Sequence, residues 1–487
     1  MPNAPNAPTA NIEHIVVLML ENRSFDHLFG LLPGIDGIRD KQLSNLLNPA
    51  SPPSNQNPSF PARDGATWTT VGRNGPSHSF DSTTEQIYGS KAGPAQGLPA
   101  NSGFVENYSM ALRSDHVQAT PDILGTIMRA FEEGRLPTLH ALAKEFAICD
   151  KWFSEVPGPT MPNRWYMHAA TSAGYAHNDW KREFDIPTIY NRLEDKGKTW
   201  AVYFSDQNDV AHFTSINSRR ANFHLYDAFA ADAKAGRLPN YTFIEPQFAS
   251  SPEKPADSMH APNDLRPGDT LVADTYEAIR GNDAAWKKTL LVVTFDEHGG
   301  FFDHVLPPKA PNPDGINSPA TGDTATYQLP IFDFSRLGLR VPTLLVSPLI
   351  PKGKVISTPL QHTSVLATLR ELWGVAPLTK RDSGATSFLS ELGGSPRGDA
   401  PTTLPRVEPV QGALAEAALP LTDARHPANQ PTDDTLDELV AGWRDRLRRV
   451  LPQERRSFLP IATHGAAHEF LRTATLRYLD SRAQKKK

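Results

Sequence analysis

The chain has 487 residues, of which 39% are hydrophobic, and a formal net charge of −5. This length is ample for a large buried core, and the acidic balance argues against a nucleic-acid-binding surface. No apolar run approaches the roughly 18–20 residues that span a bilayer. Cys149 is the single cysteine, which excludes an internal disulfide.

The chain begins with MPNAPNAPTAN, which lacks the basic and apolar regions of a signal peptide. We expect residues 1–11 to be a mobile leader. We also expect the protein either to stay in the cytosol or to be exported without a visible signal.

The first predicted element is a buried strand at residues 15–20, an unbroken apolar run typical of a parallel sheet. Glu21 and Asn22 follow it at once. Open α/β sheets bind ligands at the carboxyl ends of their strands, so this pair is well placed for a site. The alternative is that the pair only caps the next helix.

Residues 32–108 are rich in Pro, Ser, Asn and Gly and show little periodicity. A loop of this length inside a compact domain is usually functional, which predicts a lid or a substrate wall. His78 lies in it, between two serines. On its own, a loop histidine is more often a surface residue than a ligand.

Residues 121–147 are predicted to form two short helices, and a further helix is predicted to begin near Thr160 and run to about residue 172. Thr160 stands between prolines just before that helix. It resembles an N-cap residue. The same position favours an alkoxide or a bound phosphate, because helix N-termini stabilise anions.

Two more buried strands are predicted at residues 199–204 and 241–244, with a helix at 218–236 between them. His260 lies in a polar loop that precedes a predicted helix at residues 267–280. A further buried strand at residues 290–295 ends in Asp296 and Glu297. Two strands that end in oxygen ligands can bind one hard divalent cation if they meet in one crevice. The alternative is two unrelated polar strand ends.

The last third of the chain contains a Pro-rich loop at residues 306–329, a predicted strand at 341–347 and a predicted helix at 365–373. His362, near the start of that helix, is either structural or a site residue. Residues 434–481 are predicted to be helical, broken near Pro452 and Pro460. An apolar stripe predicts that this tail packs on the main domain, with a membrane surface as the alternative partner; the stripe is Leu436, Leu439, Val440, Trp443, Leu447 and Leu451.

Three motifs resemble those of the bacterial phosphoesterase family: ENRSFDHLFG at 21–30, PGPTMPNR at 157–164 and FDEHGGFFDHV at 295–305. The family includes phosphatidylcholine-hydrolysing phospholipases C and acid phosphatases, and belongs to the alkaline-phosphatase-like superfamily. The resemblance covers most of residues 12–375. It implies an α/β fold with a mainly parallel central sheet flanked by helices, alkaline-phosphatase-like, with long capping loops and a helical C-terminal tail.

The predicted organisation is a catalytic domain at residues 12–395, a Pro-rich linker at 396–433 and a helical extension at 434–487. The resemblance implies one divalent metal ion held by Glu21, Asn22, Asp296 and Glu297, with Thr160 as the nucleophile. His78 and His260 would bind phosphate oxygens or protonate the leaving group, with Asn22 also at the substrate. Weaker candidates are His298, His304 and His362.

The function implied is cleavage of phospholipid head groups through a phospho-threonine, with phospholipid or another phosphate ester as substrate and transient contact with a membrane surface. The acid phosphatases of the family are the alternative. Some of them use a histidine pair where this chain has Ser205 and Asp206. A non-catalytic lipid-binding protein is the third possibility. A serine lipase and a zincin are disfavoured, because GxSxG and HExxH are absent, and the surroundings of Cys149 do not match a sulfatase motif.

Overall fold

The computed structural model describes residues 11–94, 96–319, 331–407, 420–424, 426–451 and 460–485. Residues 1–10 of the predicted 1–11 leader, parts of the 306–329 loop and of the 396–433 linker, and the break at Pro452 lie outside these ranges. Among the helices within them, none is both long and apolar enough to cross a bilayer.

The strands are β1 (His14–Leu20), β2 (Ser44–Leu46), β3 (Ser59–Pro61), β4 (Arg63–Asp64), β5 (Arg129–Ala130), β6 (Ala147–Cys149), β7 (Trp152–Phe153), β8 (Trp200–Phe204), β9 (Phe223–Leu225), β10 (Tyr241–Ile244), β11 (Thr289–Phe295), β12 (Leu344–Val346), β13 (Lys354–Ile356) and β14 (Leu360–Gln361). The α-helices are α1 (Phe25–Phe29), α2 (Phe80–Tyr88), α3 (Phe104–Ser114), α4 (Pro121–Leu124), α5 (Pro137–Glu145), α6 (Thr160–Ala169), α7 (Ile189–Glu194), α8 (Phe229–Lys234), α9 (Arg266–Arg280), α10 (Asp283–Trp286), α11 (Thr363–Trp373), α12 (Lys380–Gly384), α13 (Asp434–Val450) and α14 (His464–Gln484).

The central sheet has the strand order β13-β6-β12-β11-β1-β10-β8-β9. The five strands from β11 to β9 are mutually parallel, and β12 runs antiparallel to both of its neighbours. The predicted mainly parallel α/β fold is therefore confirmed. Leu20 pairs with Phe295, so β1 and β11 end side by side and their polar successors emerge together.

Two predictions of local structure are wrong. The predicted loop at residues 32–108 contains α2 and the start of α3. Ser79 caps α2 by accepting the Ser82 N–H, and apolar residues such as Phe104 pack in a second core. The predicted helix at 218–236 is α-helical only at Phe229–Lys234, with short 3-10 turns at Arg220–Asn222 and Tyr226–Ala228. Residues Phe223–Leu225 instead pair with β8 as an edge strand, which satisfies their backbone groups in the sheet.

The C-terminal helices pack on the main body, as the apolar stripe predicts. Leu436, Leu439, Val440, Trp443 and Leu447 are all buried, while Leu451 is half-buried. This stripe is therefore not available to a membrane surface. The boundaries at residues 396 and 434 stay predictions.

Gly299 lies in the turn after β11 with φ +66, and a β-carbon there would overlap the backbone carbonyl of Asn22. We expect Gly299→Ala to lower the free energy of unfolding by roughly 2–6 kcal/mol, from backbone strain plus overpacking. Gly315 has a similar φ of +83, but no atom lies within 4 Å of the place a β-carbon would take, so Gly315→Ala isolates the strain alone. Urea unfolding measures both losses, and equal losses would contradict the close approach.

Candidate active site

The ends of β1 and β11 are joined by backbone hydrogen bonds. The Asn22 N–H donates to Asp296 Oδ1 at 3.2 Å, and the Arg23 N–H donates to the Glu297 carbonyl at 3.2 Å. Asn22 adopts a left-handed conformation with φ 59, which asparagine tolerates better than most residues. The predicted pairs Glu21-Asn22 and Asp296-Glu297 thus lie at one edge of the sheet.

A buried guanidinium, that of Arg164, lies among the carboxylates at this edge. Its Nη1 donates to Asp209 Oδ2 at 3.1 Å and to Glu245 Oε2 at 2.9 Å. Its Nε donates to Asp296 Oδ2 at 3.3 Å and lies 3.9 Å from Glu21 Oε1. Burial works to lower the pKa of Arg164, but these carboxylates outweigh it and the pKa is raised.

Thr160 is the first residue of α6, and Arg164 follows one turn later on the same face of the helix. The bonds of Arg164 therefore also fix where the Thr160 hydroxyl lies relative to the strand ends. Asn178 Oδ1 accepts the Met161 N–H at 2.9 Å, and Asn163 Oδ1 accepts the Val156 N–H at 2.8 Å. The start of α6 is thus held by side chains, while the Thr160 hydroxyl is left out of these bonds.

The two predicted histidines lie together, with ring centroids 5.6 Å apart. His78 Nδ1 donates to the Pro76 carbonyl at 3.1 Å, which assigns Nε2 as the acceptor of the Asn22 Nδ2 amide at 3.1 Å. The Asn22 amide is thereby oriented with Oδ1 away from His78. Burial lowers the pKa of His260 to about 3, which favours its neutral form.

Several buried polar atoms in this region have no hydrogen-bond partner within the described part of the chain. Among them are Asn22 Oδ1, Thr160 Oγ1, His260 Nε2 and Glu297 Oε1. Leaving a buried donor or acceptor unpaired costs about 1–3 kcal/mol, so such atoms are normally paired in the functional state. Unpartnered atoms on four separate segments indicate a place for a ligand, and the three oxygens suit a hard cation.

The electrostatics of the strand ends also fit a cation. Burial, then Asp296, raises the pKa of Glu21 well above its usual value. Burial likewise raises the pKa of Asp296 to about 7, despite Arg164. For Glu297, burial raises the pKa, but the surrounding interactions, including the hydrogen bond from the Gly299 N–H, outweigh burial and the pKa is lowered. A bound divalent cation would favour the ionised form of all three carboxyls.

A second cluster of acidic residues has the side chains that a metal site needs. Asp26, Asp303 and His304 form a cluster of potential ligand atoms within 4.8 Å of one another. Arg340, however, donates to Asp26 and Asp303 at 2.9 Å each, and Lys41 contacts His304. Because these cations already balance the carboxylates, the cluster is an ion-pair network, and it separates His304 from the predicted site.

The other two weaker candidates contact the segment of Asp296 and Glu297. His298 Nε2 donates to Gln86 Oε1 at 2.8 Å, and its Nδ1 lies 3.3 Å from Glu297 Oε2. His362 Nε2 donates to the Asp296 carbonyl at 2.8 Å while Nδ1 accepts the Trp152 indole N–H. Both rings are buried and orient the segment that follows β11.

Sequence reasoning missed three members of this site: Arg164, Glu245 and Asp209. Glu245 directly follows β10, the strand beside β1, so the rule that selected Glu21 and Asp296 also applies to it. Arg164 could have been found from its spacing, because it lies one helical turn after Thr160 in the predicted helix. Asp209 begins a short 3-10 helix, Asp209–His212, after β8, and nothing in its local sequence indicates a role.

A cavity of about 560 Å³ opens beside the site. Its lining includes His78, Pro159 next to Thr160, and Asn178. Such a volume is within the range of small-molecule sites. Its far wall is formed by Asp434, Thr435 and Glu438 at the start of α13.

Comparison of the sequence with known proteins places the chain in a family. The family model described as Phosphoesterase family matches residues 12–376. Non-specific phospholipase C6 of Arabidopsis thaliana is 35% identical over 96% of this chain and 87% of its own length. Non-specific phospholipase C1 of the same plant is 37% identical, covering 83% of this chain and 75% of the relative. Phospholipase C B of Mycobacterium tuberculosis is 29% identical over 87% of this chain and 88% of its own length.

Solved structures are less similar to this chain than these sequence relatives are. A protein of the alkaline phosphatase superfamily from Vibrio parahaemolyticus aligns with a TM-score of 0.30 and 12% identity, covering 51% of this chain and 63% of that chain. The assignment of the fold therefore rests on the strand order given above.

Replacement of Arg164 by methionine tests the charge balance of the site. Arg164→Met leaves four buried carboxylates without their shared partner, and we expect the free energy of unfolding to fall by about 3–5 kcal/mol. Arg237→Met is the matched control, because Arg237 pairs with Asp232 while 62% of its side chain is exposed. That control should change stability by less than about 1 kcal/mol. Similar losses in both variants would contradict the central role of Arg164.

Proposed function

The chain belongs to the phosphoesterase family and is a phosphoric ester hydrolase, and we propose that it is a phospholipase C with Thr160 as its nucleophile. The observation that carries this proposal is the set of unpartnered buried atoms on Asn22, Thr160, His260 and Glu297. They come from four segments and have no protein partner among the described residues, which suits a phosphate group with a cation. The names of the relatives, all phospholipases C, support the reaction class.

We propose one divalent metal ion as the cofactor, held by Glu21, Asn22, Asp296 and Glu297. When bound, such an ion neutralises phosphate charge and lowers the pKa of a nearby hydroxyl. The residues fit this role, since Asn22 Oδ1 and Glu297 Oε1 are unpartnered oxygens and burial raises the pKa of Glu21 and Asp296.

The remaining steps use the side chains of the protein. The Thr160 hydroxyl gives its proton to the unpartnered Nε2 of His260 as its Oγ attacks phosphorus, the bond from phosphorus to the glycerol oxygen breaks, and His260 passes the proton to that oxygen, which leaves as diacylglycerol. A water molecule then attacks the phospho-threonine and releases the phosphorylated head group. This restores the threonine hydroxyl. The position of Thr160 at the start of α6 adds the favourable end of the helix dipole to both steps.

The two histidines have different tasks in this scheme. His78 accepts from the Asn22 amide and so keeps Asn22 Oδ1 turned toward the cation site. His260 is neutral, and its unpartnered Nε2 can carry the proton that a phosphate oxygen or the departing glycerol oxygen needs.

A phospholipid substrate is favoured over a phosphomonoester by the segment after β8. Asp206, where some acid phosphatases have a histidine, accepts the N–H groups of Phe248 and Ala249 at 3.0 and 2.8 Å. This carboxylate therefore supplies no donor to phosphate. A dianionic monoester needs more donors than a diester does, so their absence disfavours the monoester more.

Removal of the Thr160 hydroxyl tests the nucleophile. We expect Thr160→Val, which keeps the shape of the side chain, to lose at least about a thousandfold in kcat, since the covalent route is closed. Thr160→Ser should retain measurable turnover and should yield a phosphopeptide at residue 160 after acid quenching. Turnover near wild type in a folded Thr160→Val variant would overturn the assignment.

The substrate class is tested by kcat/KM for phosphatidylcholine and for p-nitrophenyl phosphate under the same conditions. We expect the ratio to exceed one, because this site lacks the additional donors that a monoester requires. A ratio well below one would favour the phosphatase alternative. Binding of vesicles without release of diacylglycerol would favour a lipid-binding protein instead.

A further inference from the structure

The C-terminal helix α13 touches both loops that bring side chains to the proposed site. The first is the His78 loop, residues 73–79, and the second is the Asn178 loop, residues 171–183, which lies between α6 and α7. One end of α13 contacts the His78 loop and its middle contacts the Asn178 loop.

The His78 loop is bonded to the start of α13 in both directions. Asn74 Oδ1 accepts the Asp434 N–H at 3.0 Å, and Asn74 Nδ2 donates to Asp434 Oδ2 at 2.9 Å. Arg73 adds contacts to Asp434 at 3.2 Å and to Asp437 at 3.3 Å. The loop is therefore fixed to a helix whose own position is set by its buried apolar stripe.

On its other side, the same loop is packed against the segments that carry the remaining site residues. A β-carbon on Gly75 would lie 2.8 Å from Ala261 Cβ, next to His260. A β-carbon on Gly300 would lie 2.7 Å from the Ser77 carbonyl. Because these approaches leave no space, a shift of the loop would also displace the segments that carry His260 and Glu297, and it would change where His78 meets Asn22.

The Asn178 loop is held by the middle of α13. Gly442 lies so close to Trp180 that a β-carbon would come within 2.7 Å of the Trp180 carbonyl. Two residues earlier, Asn178 accepts the Met161 N–H in the first turn of α6. The contact at Gly442 is thus relayed to the helix start that carries Thr160. The 560 Å³ cavity lies between these two loops and α13.

We propose that α13 holds the two loops in register, so that Asn74 and Asp434 are positioning residues for hydrolysis. This inference rests on the proposed function, because it assumes that His78 and Thr160 act at phosphorus. The C-terminal extension then serves the chemistry as well as the stability of the fold.

The test uses full-length variants. We expect Asn74→Ala and Asp434→Ala each to lower kcat about tenfold, since small displacements of reacting groups cost one to two orders of magnitude in rate. KM and the thermal midpoint should change little. Asp434→Asn keeps the oxygen that accepts from Asn74, and should therefore rescue most of the loss. The double alanine variant should be no slower than either single variant.

Asp480→Ala is the matched control. Asp480 on α14 forms an ion pair with Arg220 at 2.7 Å, which also joins the extension to the main body but touches neither loop. We expect its kcat to equal that of wild type. If Asn74→Ala and Asp434→Ala stay within twofold of wild type while Thr160→Val is inactive, the inference fails and the proposed function stands. If Thr160→Val is active, the proposed function itself fails.

Discussion

The buried guanidinium of Arg164 is the interaction on which the rest of the site depends. It bonds to Asp296, Asp209 and Glu245, which follow β11, β8 and β10, and it lies close to Glu21 after β1. Without it, four carboxylates would share one water-poor crevice, at a cost in free energy that a protein of ordinary stability does not bear. Since Arg164 belongs to α6, the same bonds also set the position of Thr160.

Charge balance also distinguishes the two acidic groups of this protein. Around Asp26, Asp303 and His304, Arg340 and Lys41 already pair with the potential ligands. At the ends of β1 and β11, Arg164 is the one cation in direct contact with Glu21 and Asp296 among the described residues, and oxygens of Asn22 and Glu297 remain unpartnered. A cluster of acidic side chains is therefore a weaker indication of a cation site than buried oxygens that no cation or donor of the protein pairs with.

Much of the sheet and half of the site could be predicted from the sequence. Predominantly apolar runs located β1, β10 and β11, and the polar residues after β1 and β11 lie where parallel strands end. Glu245 obeys the same strand-end rule and could have been found by it. Asp209 could not be predicted, because its role depends on a contact with Arg164 that no local pattern encodes.

The helices α2 and α3 were missed because prolines and glycines around them conceal a short periodicity. Their burial comes from tertiary packing in the second core.

The central claim is that the ends of β1 and β11 hold one divalent cation beside the Thr160 hydroxyl. The most direct measurement is an anomalous difference map from crystals of the full chain grown with Mn²⁺. The account predicts a single strong peak in contact with Glu21, Asn22, Asp296 and Glu297, within ligand distance of Thr160 Oγ1. The absence of a peak there, or a sole peak at Asp26, Asp303 and His304, would contradict it.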